Sequence, residues 1–98
     1  MDVKMRLVLN YLESLQYDIC ESMIGPQNYN RINGVSPKEF VQNLLFLKED
    51  GYIGINFLGN PSENTHCIIT MTKKMADDKY CRERNILYLL NKWFKKAK

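Results

Sequence analysis

The chain has 98 residues, 45% hydrophobic and 26% charged, the balance of one folded domain and too short for two. No apolar run approaches the roughly 18 residues of a membrane span. The start, Met1-Asp2-Val3-Lys4-Met5-Arg6, mixes charged and apolar residues at helical spacing and lacks the basic-then-apolar order of a secretory signal, so a cytoplasmic protein with no membrane partner is expected.

The net charge of +3 is unevenly placed. Residues 1–72 carry a net charge of −3, whereas residues 73–98, with Lys73, Lys74, Lys79, Arg82, Arg84, Lys92, Lys95, Lys96 and Lys98 against Asp77, Asp78 and Glu83, carry +6. Attraction for a polyanion is therefore expected to centre on the C-terminal quarter.

Residues 3–16 read as a helix. Leu7, Val8, Leu9, Tyr11, Leu12 and Leu15 spread over a wide apolar arc, with Arg6, Asn10, Glu13 and Ser14 opposite. Gly25-Pro26 then breaks the chain. Pro26 can open a short helix through Ile32, and Asn33-Gly34 closes it as a turn. The clearest signal follows. Ser36 is a helix cap, Pro37 suits the first helical position and Glu39 completes a capping box. This helix is expected to run to about Asp50 and to stop at Gly51, with Phe40, Val41, Leu44 and Leu47 on its buried face.

Two alternating runs come next. In 52–58, Ile53, Ile55 and Phe57 share one side. In 65–71, Cys67, Ile69 and Met71 do so, with His66, Ile68 and Thr70 opposite. The turn-rich residues 59–64 join them as a hairpin. Thr72 caps a helix from Lys73, and a helical pattern resumes over 82–96 with a stripe of Ile86, Leu89, Leu90, Trp93 and Phe94. Whether 73–96 is one helix or two is open.

Short helix, glycine turn, capped helix and hairpin in that order describe an α+β winged helix-turn-helix with an added C-terminal amphipathic helix. Residues 1–35 would hold helix 1 and a short helix 2. Residues 36–51 would be the recognition-type helix, 52–71 the wing and 72–98 the C-terminal helical segment.

Some residues also carry a resemblance. Phe46-Leu47-Lys48-Glu49-Asp50-Gly51-Tyr52-Ile53 resembles the junction of recognition helix and wing in many bacterial winged-helix proteins. Met71-Thr72-Lys73-Lys74 resembles their exit from the wing, with Met75 near where many have a glycine. With its length, Gly54-Ile55 after the junction and Trp93 in the closing helix, the chain is similar to the small YjcQ-type family of bacterial and phage proteins. That resemblance implies a winged-helix fold. It implies no established activity and assigns no functional residue.

Two function classes stay open. The first is a DNA-binding protein, a small transcriptional regulator, for which Lys38, Gln42 and Asn43 are candidate contacts on the outward face of 37–50. Arg84, Tyr88, Lys92 and Lys95 form a basic row that either neutralises phosphates or is simply a solvated face. Glu39, Glu49 and Asp50 on the recognition-type helix oppose that role, and the wing tip has no Lys or Arg.

The second class is a protein-interaction module of the phage or mobile-element accessory kind. There Phe46, in the middle of a polar face, and Glu49 would dock a protein partner, unless helix rotation or another segment covers the ring. The C-terminal stripe either packs on helix 1 or pairs two subunits as a homodimer. An enzyme is not expected, because His66 is the lone histidine and no nucleophile is paired with a base. Cys20, Cys67 and Cys81 are an odd count in a presumed cytosolic chain, which argues against a disulfide framework, and with no C-x-x-C pair a metal site is not expected. No cofactor is expected.

Overall fold

The computed structural model describes residues 2–15 and 21–78. In chain order these form α1 (Val3–Leu15), β1 (Glu21–Ile24), α2 (Pro26–Tyr29), α3 (Pro37–Glu49), β2 (Ile53–Phe57) and β3 (Cys67–Met71). Residues 73–78 are again helical. This is a mixed α+β arrangement of helices on a three-stranded antiparallel sheet, ordered β1-β3-β2.

The α3 helix begins as its residues require. The Ser36 hydroxyl accepts from the Glu39 amide at 3.2 Å, and the Glu39 carboxylate accepts from the Ser36 amide at 3.2 Å. The turn before it passes through Gly34 at φ +84°, and the helix ends at Gly51 at φ +82°. Both glycines stand where a side chain would be strained. Phe40, Val41, Leu44 and Leu47 are all buried, as the sequence predicts.

The hairpin also follows its alternation. Ile53 faces Met71, Ile55 faces Ile69 and Phe57 faces Cys67, so one sheet face packs on the helices. Thr72 then caps the next turn, accepting from the Met75 amide at 3.3 Å. Its hydroxyl also lies 2.7 Å from the Gly51 carbonyl oxygen and 2.8 Å from that of Tyr52, tying the exit of β3 to the junction between α3 and β2.

Three features differ from the sequence reading. First, β1 lies in a stretch with no readable pattern. It is four residues long and only Ile24 on it is fully buried. Its structure comes from pairing with β3, Ser22 against Ile69 and Ile24 against Cys67. Second, α2 ends at Tyr29 rather than Ile32. One turn suffices because Asn28 binds back to the Gly25 amide at 3.0 Å and reaches the Tyr11 hydroxyl at 3.0 Å.

Third, α1 is rotated from its expected orientation. Met5, Val8, Leu9, Leu12 and Glu13 are buried, while Leu7 and Leu15 are exposed. Spacing of three and four residues from Met5 defines the true inward stripe. Glu13, expected on the polar side, is 7% exposed and is not without a partner.

At the centre of the core, Phe40 meets Tyr29 with ring centroids 5.2 Å apart and Tyr11 edge-on at 5.9 Å. The Tyr29 hydroxyl donates to the Thr65 carbonyl at 2.6 Å and lies 3.4 Å from the Cys67 sulfur. Burial pushes the Tyr29 phenol strongly up, and Cys67 adds to the shift. Burial also pushes the Cys67 thiol up, partly opposed by Tyr29. Both groups are therefore neutral.

Candidate functional site

The long solvent side of α3 is the candidate surface. Its orientation follows from where α1 sits. Lys4 of α1 forms an ion pair with Glu39, which places the Glu39 side of α3 against α1. That rotation has two consequences. Lys38, Gln42, Phe46 and Glu49 point outward and are exposed, which is where they were expected. Asn43 is not on that face. It is 5% exposed, its amide donates to the Glu39 carbonyl at 2.8 Å, and its own oxygen has no hydrogen-bond partner among the described residues. The wheel misplaced Asn43 because it was centred on the apolar residues of α3 alone. The packing of α1 extends the buried side by one residue row.

The charge layout also changes. Glu39 is held below the usual carboxylate range, first by Lys4 and then by the Ser36 amide and hydroxyl. Its negative charge is matched within the domain. Lys48, near the apolar side on the wheel, is exposed, so its stem carries the ammonium out to water. The open face of α3 thus sets Lys38 and Lys48 against Glu49 and Asp50. Lys74 folds back to the helix end. Its ammonium donates to the Asp50 carbonyl at 2.6 Å and lies 4.4 Å from the centre of the Tyr52 ring.

Phe46 is 50% exposed, with Gln42 and Glu49 as helical neighbours. Its ring is neither taken into the core nor fully free.

The hairpin connector is closed on itself. Thr65 donates its hydroxyl to the Asn60 carbonyl at 2.7 Å and its amide to the Ser62 carbonyl at 3.1 Å. Asn60, Glu63 and Asn64 are exposed there, and no cation extends from the tip.

The remaining candidates, Arg84, Tyr88, Lys92 and Lys95, lie outside the described residues, as do the C-terminal stripe with its dimer expectation and Cys20 and Cys81. Among the described residues no cluster of His, Cys, Asp or Glu is placed to hold a metal ion. No helix among them is long and apolar enough to cross a membrane. One element the sequence reading missed, β1, brings Met23 to the outer sheet face, where it is 60% exposed opposite Ile68. No local signal marks Met23, because its strand exists only through β3.

No family model, curated protein or solved structure matches the chain.

Proposed function

We propose that the chain is a winged helix-turn-helix domain that binds duplex DNA through α3, a non-enzymatic protein of the small-regulator kind. The carrying observation is the pair Lys38 and Gln42. They stand four residues apart on the open side of the first turns of α3, exposed and away from the core. A cation there can reach a phosphate, and an amide one turn on can reach a base edge. The surrounding order supports the reading. A short helix, a glycine turn and a capped helix lead straight into a hairpin, and β1 fastens the chain before α2 to that hairpin. The resemblance to YjcQ-type proteins bears on the winged-helix scaffold alone. The basic residues beyond position 78 would supply further phosphate neutralisation.

The test is fluorescence anisotropy of the full chain with duplex DNA across a salt series. Affinity is expected to fall steeply with salt. Lys38→Gln is expected to reduce the log–log slope by roughly 0.9. Gln42→Ala is expected to relax discrimination between sequences with little change in slope. Absence of duplex binding at low salt overturns the reading.

A second reading rests on a different observation, the half-exposed Phe46 beside Glu49. An aromatic ring on a polar helix face is the usual anchor of a protein interface. In this reading the same scaffold docks a protein partner. Phe46→Ala and Glu49→Lys would then abolish partner recovery in a pull-down, and unchanged recovery in both variants overturns it.

A further inference from the structure

The turn that feeds α3 carries its own chemistry. Asn33 is the chain's one asparagine followed by glycine. Asn33 and Gly34 are both exposed. The turn around them is closed by the Val35 amide, which donates to the Ile32 carbonyl at 3.2 Å. Neither the Gly34 amide nor the Asn33 side chain makes a hydrogen bond among the described residues. Where a Cβ on residue 34 would stand, nothing lies within 4 Å. The Gly34 nitrogen is therefore free and uncrowded, and the carbonyl of the Asn33 side chain is its neighbour in the chain.

The other exposed loop asparagines lack this combination. Asn30 precedes Arg31, whose amide donates to the Asn28 carbonyl at 3.3 Å. Asn64 precedes Thr65, whose amide donates to the Ser62 carbonyl at 3.1 Å. Arg31 and Thr65 also carry side chains that crowd the approach to their nitrogens. Asn60 precedes Pro61, which has no N–H.

We propose that Asn33-Gly34 is a self-modification site, at which Asn33 converts to an aspartyl or isoaspartyl linkage through a cyclic imide. The Gly34 nitrogen gives up its proton and bonds to Cγ of Asn33. The Cγ–Nδ2 bond breaks, and ammonia leaves with that proton. Water then opens the imide. Water added at Cγ, with loss of the new bond to nitrogen, leaves an ordinary aspartyl residue. Water added at the main-chain carbonyl carbon leaves the chain running through Cγ, one carbon longer. Water is the only co-reactant, and nothing is oxidised or reduced. Nucleophile and carbonyl sit on adjacent residues, so the ring closure is intramolecular and needs no enzyme.

Either product adds a negative charge to the turn that leads to the Ser36 cap. The isoaspartyl product also lengthens the main chain between two fixed points, since Val35 is buried and Ile32 packs on the core. The entry to α3 must absorb the added atom. The proposal is independent of the DNA-binding reading.

The experiment ages the full chain in mildly alkaline buffer at physiological temperature. Each asparagine is followed by peptide mass spectrometry, with electron-transfer fragmentation to separate the two linkages. Conversion at Asn33 is expected to run about tenfold or more faster than at Asn30 or Asn64. It is expected to accelerate as the pH rises and to move the protein to a more acidic ion-exchange peak. Because the site needs no opening, its rate in the folded chain is expected to stay within about tenfold of that in the guanidinium-unfolded chain. Asn33→Gln alters an exposed position and is expected to remove the acidic peak while keeping the circular dichroism of the wild type. An advantage over Asn30 and Asn64 below about tenfold, or slowing by more than about tenfold on folding, overturns the proposal. An acidic peak of unchanged size in Asn33→Gln overturns it as well.

Discussion

The start of α3 and the strand β1 make opposite use of the chain. At Ser36–Glu39 every bond that begins the helix lies within four residues, and the one long-range contact, from Lys4, reinforces a helix already specified. At Glu21–Ile24 nothing local selects a strand. Its bonds run to β3, more than forty residues away in sequence. The first region can form early and by itself. The second is a product of the finished fold. Chemistry near the first is therefore readable from neighbours in the sequence, and chemistry near the second is not.

The largest test of this contrast removes the core under each region. Phe40→Ala is expected to lower the unfolding free energy by about 3–5 kcal/mol and Ile24→Ala by about 2–5 kcal/mol, measured by urea denaturation. If Ile24→Ala cost well under about 1 kcal/mol, β1 would be an ornament on the sheet rather than part of it. A smaller effect probes the local end. Ser36→Ala is expected to cost about 1 kcal/mol, since the Glu39 amide loses its acceptor.

Smaller still is the effect of Ser22→Ala in β1. The Ser22 hydroxyl is buried with no hydrogen-bond partner among the described residues, so its removal is expected to leave stability unchanged or raise it by up to about 1 kcal/mol. A clear loss would show that the hydroxyl is bonded after all.

The last test is in pH. Glu39 titrates below its ordinary 4.5 in the folded chain. Its contribution is thus present above that value and is lost as the pH falls through the lower folded value. Glu39→Gln is expected to flatten the acid limb of the stability curve slightly, and Lys4→Ala to act in the same direction. An acid limb identical to that of the wild type would remove the ion pair from the account.

This contrast also explains what could be read in advance. Ser36, Pro37, Glu39 and Gly51 delimit α3 because caps and stops are local chemistry. The hairpin follows from strict alternation around a turn-rich connector. Helix α1 was visible as a helix, and Val8, Leu9 and Leu12 lie in the core as expected, but the edges of its buried face were misread. Glu13 and Met5 face inward because of what packs on them. Asn43 was lost for the same reason, since only the position of α1 decides which row of α3 it covers. Lys38, Gln42, Phe46 and Glu49 lay far enough from that boundary to be placed correctly. Strand β1 had no signal to find.

Tyr29 gives the short α2 an unusual attachment. Its ring is seated on Phe40, and its hydroxyl holds the Thr65 carbonyl at the base of the hairpin connector. A ligand that tugs on that connector pulls, through one phenol, directly on α2. Mechanical strain at the tip of the hairpin thus has a direct route to the turn that orients α3.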